Sequence, residues 1–121
     1  MSADLGDVPE ELREPVAAAL DAAGVEEGHL SVELVDEERI RRLNRDHRSH
    51  DDATDVLAFP VDGAAETPGP RELGDVVICP ARATDVTEAA VHGVLHLCGY
   101  DHDTDGGEML ALQSRVMASL R

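Results

Sequence analysis

A chain of 121 residues, 42% hydrophobic and with no run of about 18 apolar residues, is long enough for one domain, 1–121, with its own core, and contains no membrane-spanning helix. Its formal net charge is −16 and every cation is an Arg, so phosphate backbones are repelled unless a local basic patch meets them; charge alone argues against an RNA partner, and neither DNA nor a membrane is an expected partner. The acidic start, Met1 to Leu12, has no basic n-region, which argues against a secretory signal and makes the cytoplasm the expected compartment.

Met1 to Asp7 carries no evident strand pattern. Pro9 to Ala23 reads as a helix: Pro9 suits a first turn, Leu12, Val16 and Leu20 recur at i, i+4 and i+8, and Gly24 stops it. Leu30 to Val35 alternates apolar residues with Ser and Glu and is predicted as a strand. Asp36 is a suitable N-cap for a helix running to about His47, with Ile40, Leu43 and His47 on its inward face. A second strand is predicted over Ala53 to Val61, a Gly- and Pro-rich connection over Asp62 to Arg71, and a third strand over Gly74 to Cys79. Thr84 or Asp85 can cap a helix that runs to about Cys98 and ends at Gly99. Asp105 with Glu108 resembles a capping box opening a last helix, Glu108 to Leu120. The expected fold class is α+β, a small mixed sheet of three to four strands packed with helices. Phe59 and Tyr100 are the only aromatic residues, so the core must be built from Val, Leu, Ile and Ala. Cys79 and Cys98 form no C-x-x-C pair and are expected to be buried free thiols.

The segment that carries chemistry is Val91 to His102, VHGVLHLCGYDH. His92 and His96 are four residues apart on a predicted helix, which puts both imidazoles on one face, one turn apart. Gly99 then breaks the helix and lets the chain bring His102 round as a third ligand. Three neutral imidazoles leave one tetrahedral position open, the arrangement of a catalytic rather than a structural zinc. Imidazole also suits Ni, Cu or Fe(II), so zinc, one per chain, rests on prevalence and geometry. A single His would more simply be a satisfied surface or core residue. A helical pair, a glycine break and a third His within one short segment argue against that reading. The spacing is close to the zinc-peptidase motif H-E-x-x-H, but Gly93 stands where the general-base Glu would be. Peptidase chemistry is therefore disfavoured, and the small residue would leave room for a bulky, anionic backbone near the metal.

HGVLHLCGYDH resembles the signature of the YbeY family of bacterial rRNA maturation factors, which are metal-dependent endoribonucleases. Leu43, Asn44, Arg48 and the run Thr54-Asp55-Val56-Leu57-Ala58-Phe59-Pro60 are similar to that family's LN…R…TDVLSFP segment, and Leu73 to Ile78 to its LGDIVI strand. The three blocks occur in the family's order and span about Asp36 to His102. Cys79 to Val91 is shorter than the resemblance leads one to expect, Cys79 replaces a frequent Ser, and the family's N-terminal strand is not apparent.

The resemblance implies a single-strand-specific, zinc-dependent endoribonuclease acting in small-subunit rRNA maturation, late 3′-end processing and ribosome quality control. The implied partners are small-subunit rRNA, a small-subunit ribosomal protein and a ribosome-assembly GTPase. A metal at His92, His96 and His102 would lower the pKa of bound water to about 7. Arg48 matches a family position facing the metal, where a guanidinium would hold the scissile phosphate bidentately. Asp101, beside His102, would orient a ligand imidazole or take a proton from the attacking group. Arg41 and Arg45 lie near Arg48 on the helical arc and otherwise read as a solvated face paired with Asp36, Glu37, Glu38 and Asp46. Glu88, one turn before His92, and Asp55 and Asp75, on the matched blocks, read mainly as structural. Two alternatives stay open: a non-catalytic ribosome assembly factor with a structural zinc, and a zinc hydrolase of another substrate.

Overall fold

The chain alternates short apolar runs with amphipathic ones, and each run finds its partner across a single sheet. In the computed structural model, which describes residues 4–48, 53–61, 72–100 and 106–120, the elements are β1 (Asp4–Asp7), α1 (Arg13–Ala22), β2 (His29–Leu34), α2 (Glu37–Arg48), β3 (Val56–Pro60), β4 (Glu72–Ile78), α3 (Val86–Leu97) and α4 (Glu108–Ser119). A 3-10 turn, Glu10–Leu12, leads into α1. The sheet order is β1-β2-β4-β3. β1 and β4 both run parallel to β2, and β3 runs antiparallel to β4. The fold class is therefore the expected α+β, with four strands in a mixed sheet.

The two faces of the sheet bury different clusters. On one face Leu30, Val32, Val76 and Ile78 pack with Val16 and Leu20 of α1, Val91, Val94 and Leu95 of α3, and Met109 and Val116 of α4. On the other, Leu57 and Val77 pack with Ile40 of α2 and with Cys79. α2 and α3 thus lie on opposite faces. The core is aliphatic as expected, with Met109 and Met117 added, and Cys79 and Cys98 are buried and not joined in a disulfide. No described helix is long and apolar enough to cross a membrane.

Local signals set the helix ends. The Asp36 carboxylate accepts from the Arg39 backbone N–H at 2.8 Å, and the Asp85 carboxylate accepts from the Glu88 N–H at 3.1 Å. These are N-caps for orphan donors of a first turn. At α4 the expectation is corrected. The N-cap is Gly107, with φ of 102° and no side-chain cap bond, while Asp105 lies outside the described residues. Glu108 still turns back, its carboxylate accepting from the Gly106 N–H at 2.6 Å.

A second correction is β1. Asp4–Asp7 is a strand, held by parallel pairing to β2 and by the Asp4 N–H donating to the Gly28 carbonyl at 2.7 Å. It is a four-residue edge strand from which only Leu5 reaches the core, so period-two alternation has no room to show. The predicted connection over Asp62 to Arg71 falls outside the described residues.

Candidate metal centre and adjoining cavity

α3 is a twelve-residue helix with one face in the core, and its histidines ride the edge of that face. Ala89, Ala90, Val91, Gly93, Val94, Leu95 and Leu97 are buried, while His92 and His96 are half-buried. The two imidazoles meet edge to face, with centroids 4.7 Å apart and planes at 79°. Their Nε2 atoms converge to 3.1 Å.

The other nitrogen of each ring is held by an acceptor. α3 ends in a Schellman turn, in which the Tyr100 N–H donates to the Leu95 carbonyl and the Gly99 N–H to the His96 carbonyl. Gly99 permits that turn with φ of 99°. The turn places the Tyr100 carbonyl 3.0 Å from His96 Nδ1. A carbonyl only accepts, so His96 carries its proton on Nδ1 and presents a lone pair at Nε2. His92 Nδ1 lies 2.7 Å from Gln113 Oε1, a second acceptor, reached from α4. Both Nε2 lone pairs therefore point into the same space.

Two lone pairs at 3.1 Å repel unless a cation or a proton lies between them. Tetrahedral zinc, with nitrogens at about 2.0–2.1 Å, holds its ligands roughly 3.3–3.4 Å apart. The pair is already near that separation, and its donor chemistry fits a divalent cation of imidazole preference. Among the described residues no third His, Cys, Asp or Glu completes a three-ligand cluster. His102 and Asp101 lie outside the described residues. Arg48 is the last residue of α2, and its side chain also falls outside them.

A cavity of about 200 Å³ opens beside His92, lined chiefly by Asp55, Thr84, Asp85, Glu88 and Gln113. Its wall is acidic. Arg45, expected beside the substrate or on a solvated face, is exposed and bonded to Asp46 at 3.2 Å. His47 packs edge-on against Phe59, with ring centroids 5.2 Å apart. Asp55 contributes its backbone carbonyl to the Cys79 N–H at 2.8 Å, and Asp75 accepts from the Ser31 hydroxyl on an exposed part of the sheet. Asp75 is thus held in the sheet away from the cavity, whereas Asp55 both anchors the Cys79 backbone and lines the cavity.

Gly93 is corrected in its physical meaning. A Cβ built there would lie 2.5 Å from Val76 Cγ1 and 3.2 Å from Val56 Cγ2. The missing side chain faces the sheet, so the space it spares goes to helix–sheet packing and not to substrate.

Sequence reasoning missed Gln113. Its signal was a polar residue at an inward position of α4, four residues after buried Met109 and three before buried Val116. It also missed His29, at the head of β2, whose Nε2 and Nδ1 lie 2.6 Å from Asp7 and 2.7 Å from Glu72. The Asp7 bond, then the Glu72 bond, raise its pKa from 6.5 to about 9.

Fold and site together define a small α+β protein with a helical His-x-x-x-His pair beside an open acidic cavity. Residues 3–121 match the family of Endoribonuclease YbeY. Among curated relatives, Endoribonuclease YbeY of Rubrobacter xylanophilus is 46% identical over 78% of this chain and 69% of its own length. That of Bacillus cytotoxicus is 39% identical over 89% and 83%. That of Myxococcus xanthus is 43% identical over 81% of this chain, but the match takes in only 37% of that longer protein. The solution structure of a Thermotoga maritima protein has the same fold, with a TM-score of 0.58 at 30% identity over 88% of this chain and 77% of that one. The chain belongs to the endoribonuclease YbeY family, whose members are named as nucleases acting on RNA, an enzyme class that breaks ester bonds.

Proposed function

We propose that this chain, as one domain over 1–121, is a zinc-dependent, single-strand-specific endoribonuclease that acts in the cytoplasm on small-subunit rRNA, in late 3′-end maturation and ribosome quality control. The observation that carries the zinc is the convergence of His92 and His96 Nε2 at 3.1 Å, with Nδ1 of each ring committed to an acceptor. His92 and His96 hold the metal, and His102, past the Gly99 turn, supplies the third imidazole. Bound there, zinc supplies Lewis-acid activation of water or of a phosphoryl oxygen.

The chain's own residues do the rest. Arg48 binds the scissile phosphate and offsets charge that develops on it. Asp101 orients the His102 ring or accepts a proton from the attacking group. Gly93, turned into the sheet, cannot be replaced in place by a carboxylate base without lifting α3 off Val76, so peptidase chemistry of the H-E-x-x-H kind has no seat here. A small-subunit ribosomal protein and a ribosome-assembly GTPase are the proposed protein partners.

One observation favours the second reading, an assembly factor with a structural metal. Asp55, Asp85 and Glu88 line the cavity beside His92 and repel an RNA backbone. Metal analysis and cleavage of single-stranded RNA on one preparation, with His96→Ala as control, decide between the two. Cleavage that zinc restores and His96→Ala abolishes supports the nuclease. A stoichiometric metal with no cleavage of RNA by the wild-type protein supports the assembly factor.

A further inference from the structure

The two metal-facing imidazoles are held in very different ways. His96 is fixed by a main-chain carbonyl four residues away, a contact that follows from the helix ending at Gly99. His92 is fixed by a side chain 21 residues away on another helix. We infer that Gln113 is a positioning residue for the metal centre: its amide oxygen holds His92 in the Nδ1–H tautomer and so turns the Nε2 lone pair towards the cation. The inference rests on the zinc site proposed above.

Three features support it. Gln113 Oε1 is 2.7 Å from His92 Nδ1, a short bond for two neutral partners. The buried residues Met109 and Val116 flank Gln113 on the inner face of α4, so packing delivers the amide to the ring. The ring it addresses also borders the open cavity, so its orientation matters to whatever enters there. Metal-bound imidazoles generally have their second nitrogen tied to such an acceptor, and losing it weakens metal binding about 10- to 100-fold.

An amide adds something that a carboxylate does not. Gln113 can turn over and offer its NH2 group to Nδ1. His92 then carries its proton on Nε2 and donates it to His96 Nε2 across the same 3.1 Å gap. That arrangement is fully hydrogen-bonded and closed to a cation. Gln113 therefore sets a choice between an open and a closed histidine pair, and zinc must draw the site from the closed form. A Glu at this position accepts only, and removes the closed form.

The test compares wild type, Gln113→Leu and Gln113→Glu. Zinc affinity is read by competition with a chromophoric chelator, and thermal unfolding of the metal-free proteins is followed alongside. Gln113→Leu is expected to bind zinc about 10- to 100-fold more weakly, and Gln113→Glu at least as tightly as wild type. Equal affinity in wild type and Gln113→Leu overturns the inference and leaves the zinc site standing. A loss in Gln113→Glu as large as that in Gln113→Leu also overturns it, because the acceptor is then irrelevant and only amide packing matters. Failure of wild type to bind zinc overturns the proposed function together with this inference. Should Gln113→Leu fold poorly, the ranking of Gln113→Glu against wild type still decides.

Discussion

Gly93 on α3 and Val76 on β4 are packed so closely that a Cβ on Gly93 would lie 2.5 Å from Val76 Cγ1. Two effects oppose each other when Gly93 is replaced by Ala. Helix propensity favours Ala by about 1 kcal/mol, while overpacking a filled core costs typically about 1–3 kcal/mol. The valine methyl is a short, branched group with no flexible end to swing away, and Val56 closes the other side at 3.2 Å. Packing therefore wins. Gly93→Ala is expected to destabilise the protein by roughly 1–2 kcal/mol in urea unfolding. Unchanged or higher stability would show that α3 can slide off the sheet at little cost.

The same residue shows where sequence reading stops. His92, His96 and Gly99 were legible because a helical pair and its terminating turn are local in sequence, and the turn forms as expected. Gly93 was aligned with the Glu of a peptidase motif and read as space for substrate, since a motif carries no information about how closely a helix lies on a sheet. Gln113 reaches His92 from 21 residues away, and only its inward position on α4 hinted at it. β1 escaped because four edge residues are too few to show alternation. The capping box at Asp105 was a local pattern, and the chain instead opened α4 on Gly107 in a left-handed conformation. The helix pair and its terminating turn were readable from neighbouring residues, whereas a short edge strand, a competing glycine cap and contacts between distant elements were not.

His29 supplies a pH dependence. Its imidazole links Asp7 to Glu72 at 2.6 and 2.7 Å, tying β1 to β4 around the head of β2. The two carboxylates raise its pKa from 6.5 to about 9. Because the folded value is the higher one, the contribution to stability is complete below about pH 6.5 and is lost as pH rises towards 9. The side chain is 32% exposed and its partners 67% and 42%, so solvent screening limits the effect to about 1 kcal/mol or less. Denaturant unfolding at pH 6.5 and pH 9.5 should show this fall in wild type and little of it in His29→Gln. Equal slopes in the two proteins would dismiss the clamp.

The proposed metal centre predicts a specific pattern of zinc retention. Purified protein should hold about one zinc per chain. His92→Ala and His96→Ala should each lose most of it, because each removes one of the two converging Nε2 atoms. His102→Ala should do the same if the proposed third ligand is correct. Full occupancy in His102→Ala with loss in the other two would move the third ligand elsewhere and keep the pair. Retention in all three variants would place the metal at a different site altogether.

The last expectation separates phosphate binding from general surface charge. Arg45 is exposed and already bonded to Asp46 at 3.2 Å, and an exposed pair of this kind contributes at most about 1 kcal/mol. Removing it leaves an acidic chain slightly more acidic and touches nothing near His92. Arg45→Ala should therefore weaken RNA binding mildly, mainly at low salt, where unscreened charge counts most. Arg48 stands one turn of α2 further on, and the proposed role gives it a direct hold on the scissile phosphate. A guanidinium in that role stabilises charge that grows during the reaction, so its loss should fall on kcat more than on KM. Arg48→Ala is accordingly expected to reduce single-stranded RNA cleavage at least 100-fold, on the scale of losing one oxyanion-stabilising donor. Zinc occupancy and thermal unfolding should stay at wild-type values. Steady-state cleavage of a labelled RNA strand, with zinc content and a thermal melt measured on the same samples, reads all three quantities. Equal and small losses for Arg45→Ala and Arg48→Ala would mean that α2 presents only a solvated face, and the phosphate would then have to be held by groups outside that helix.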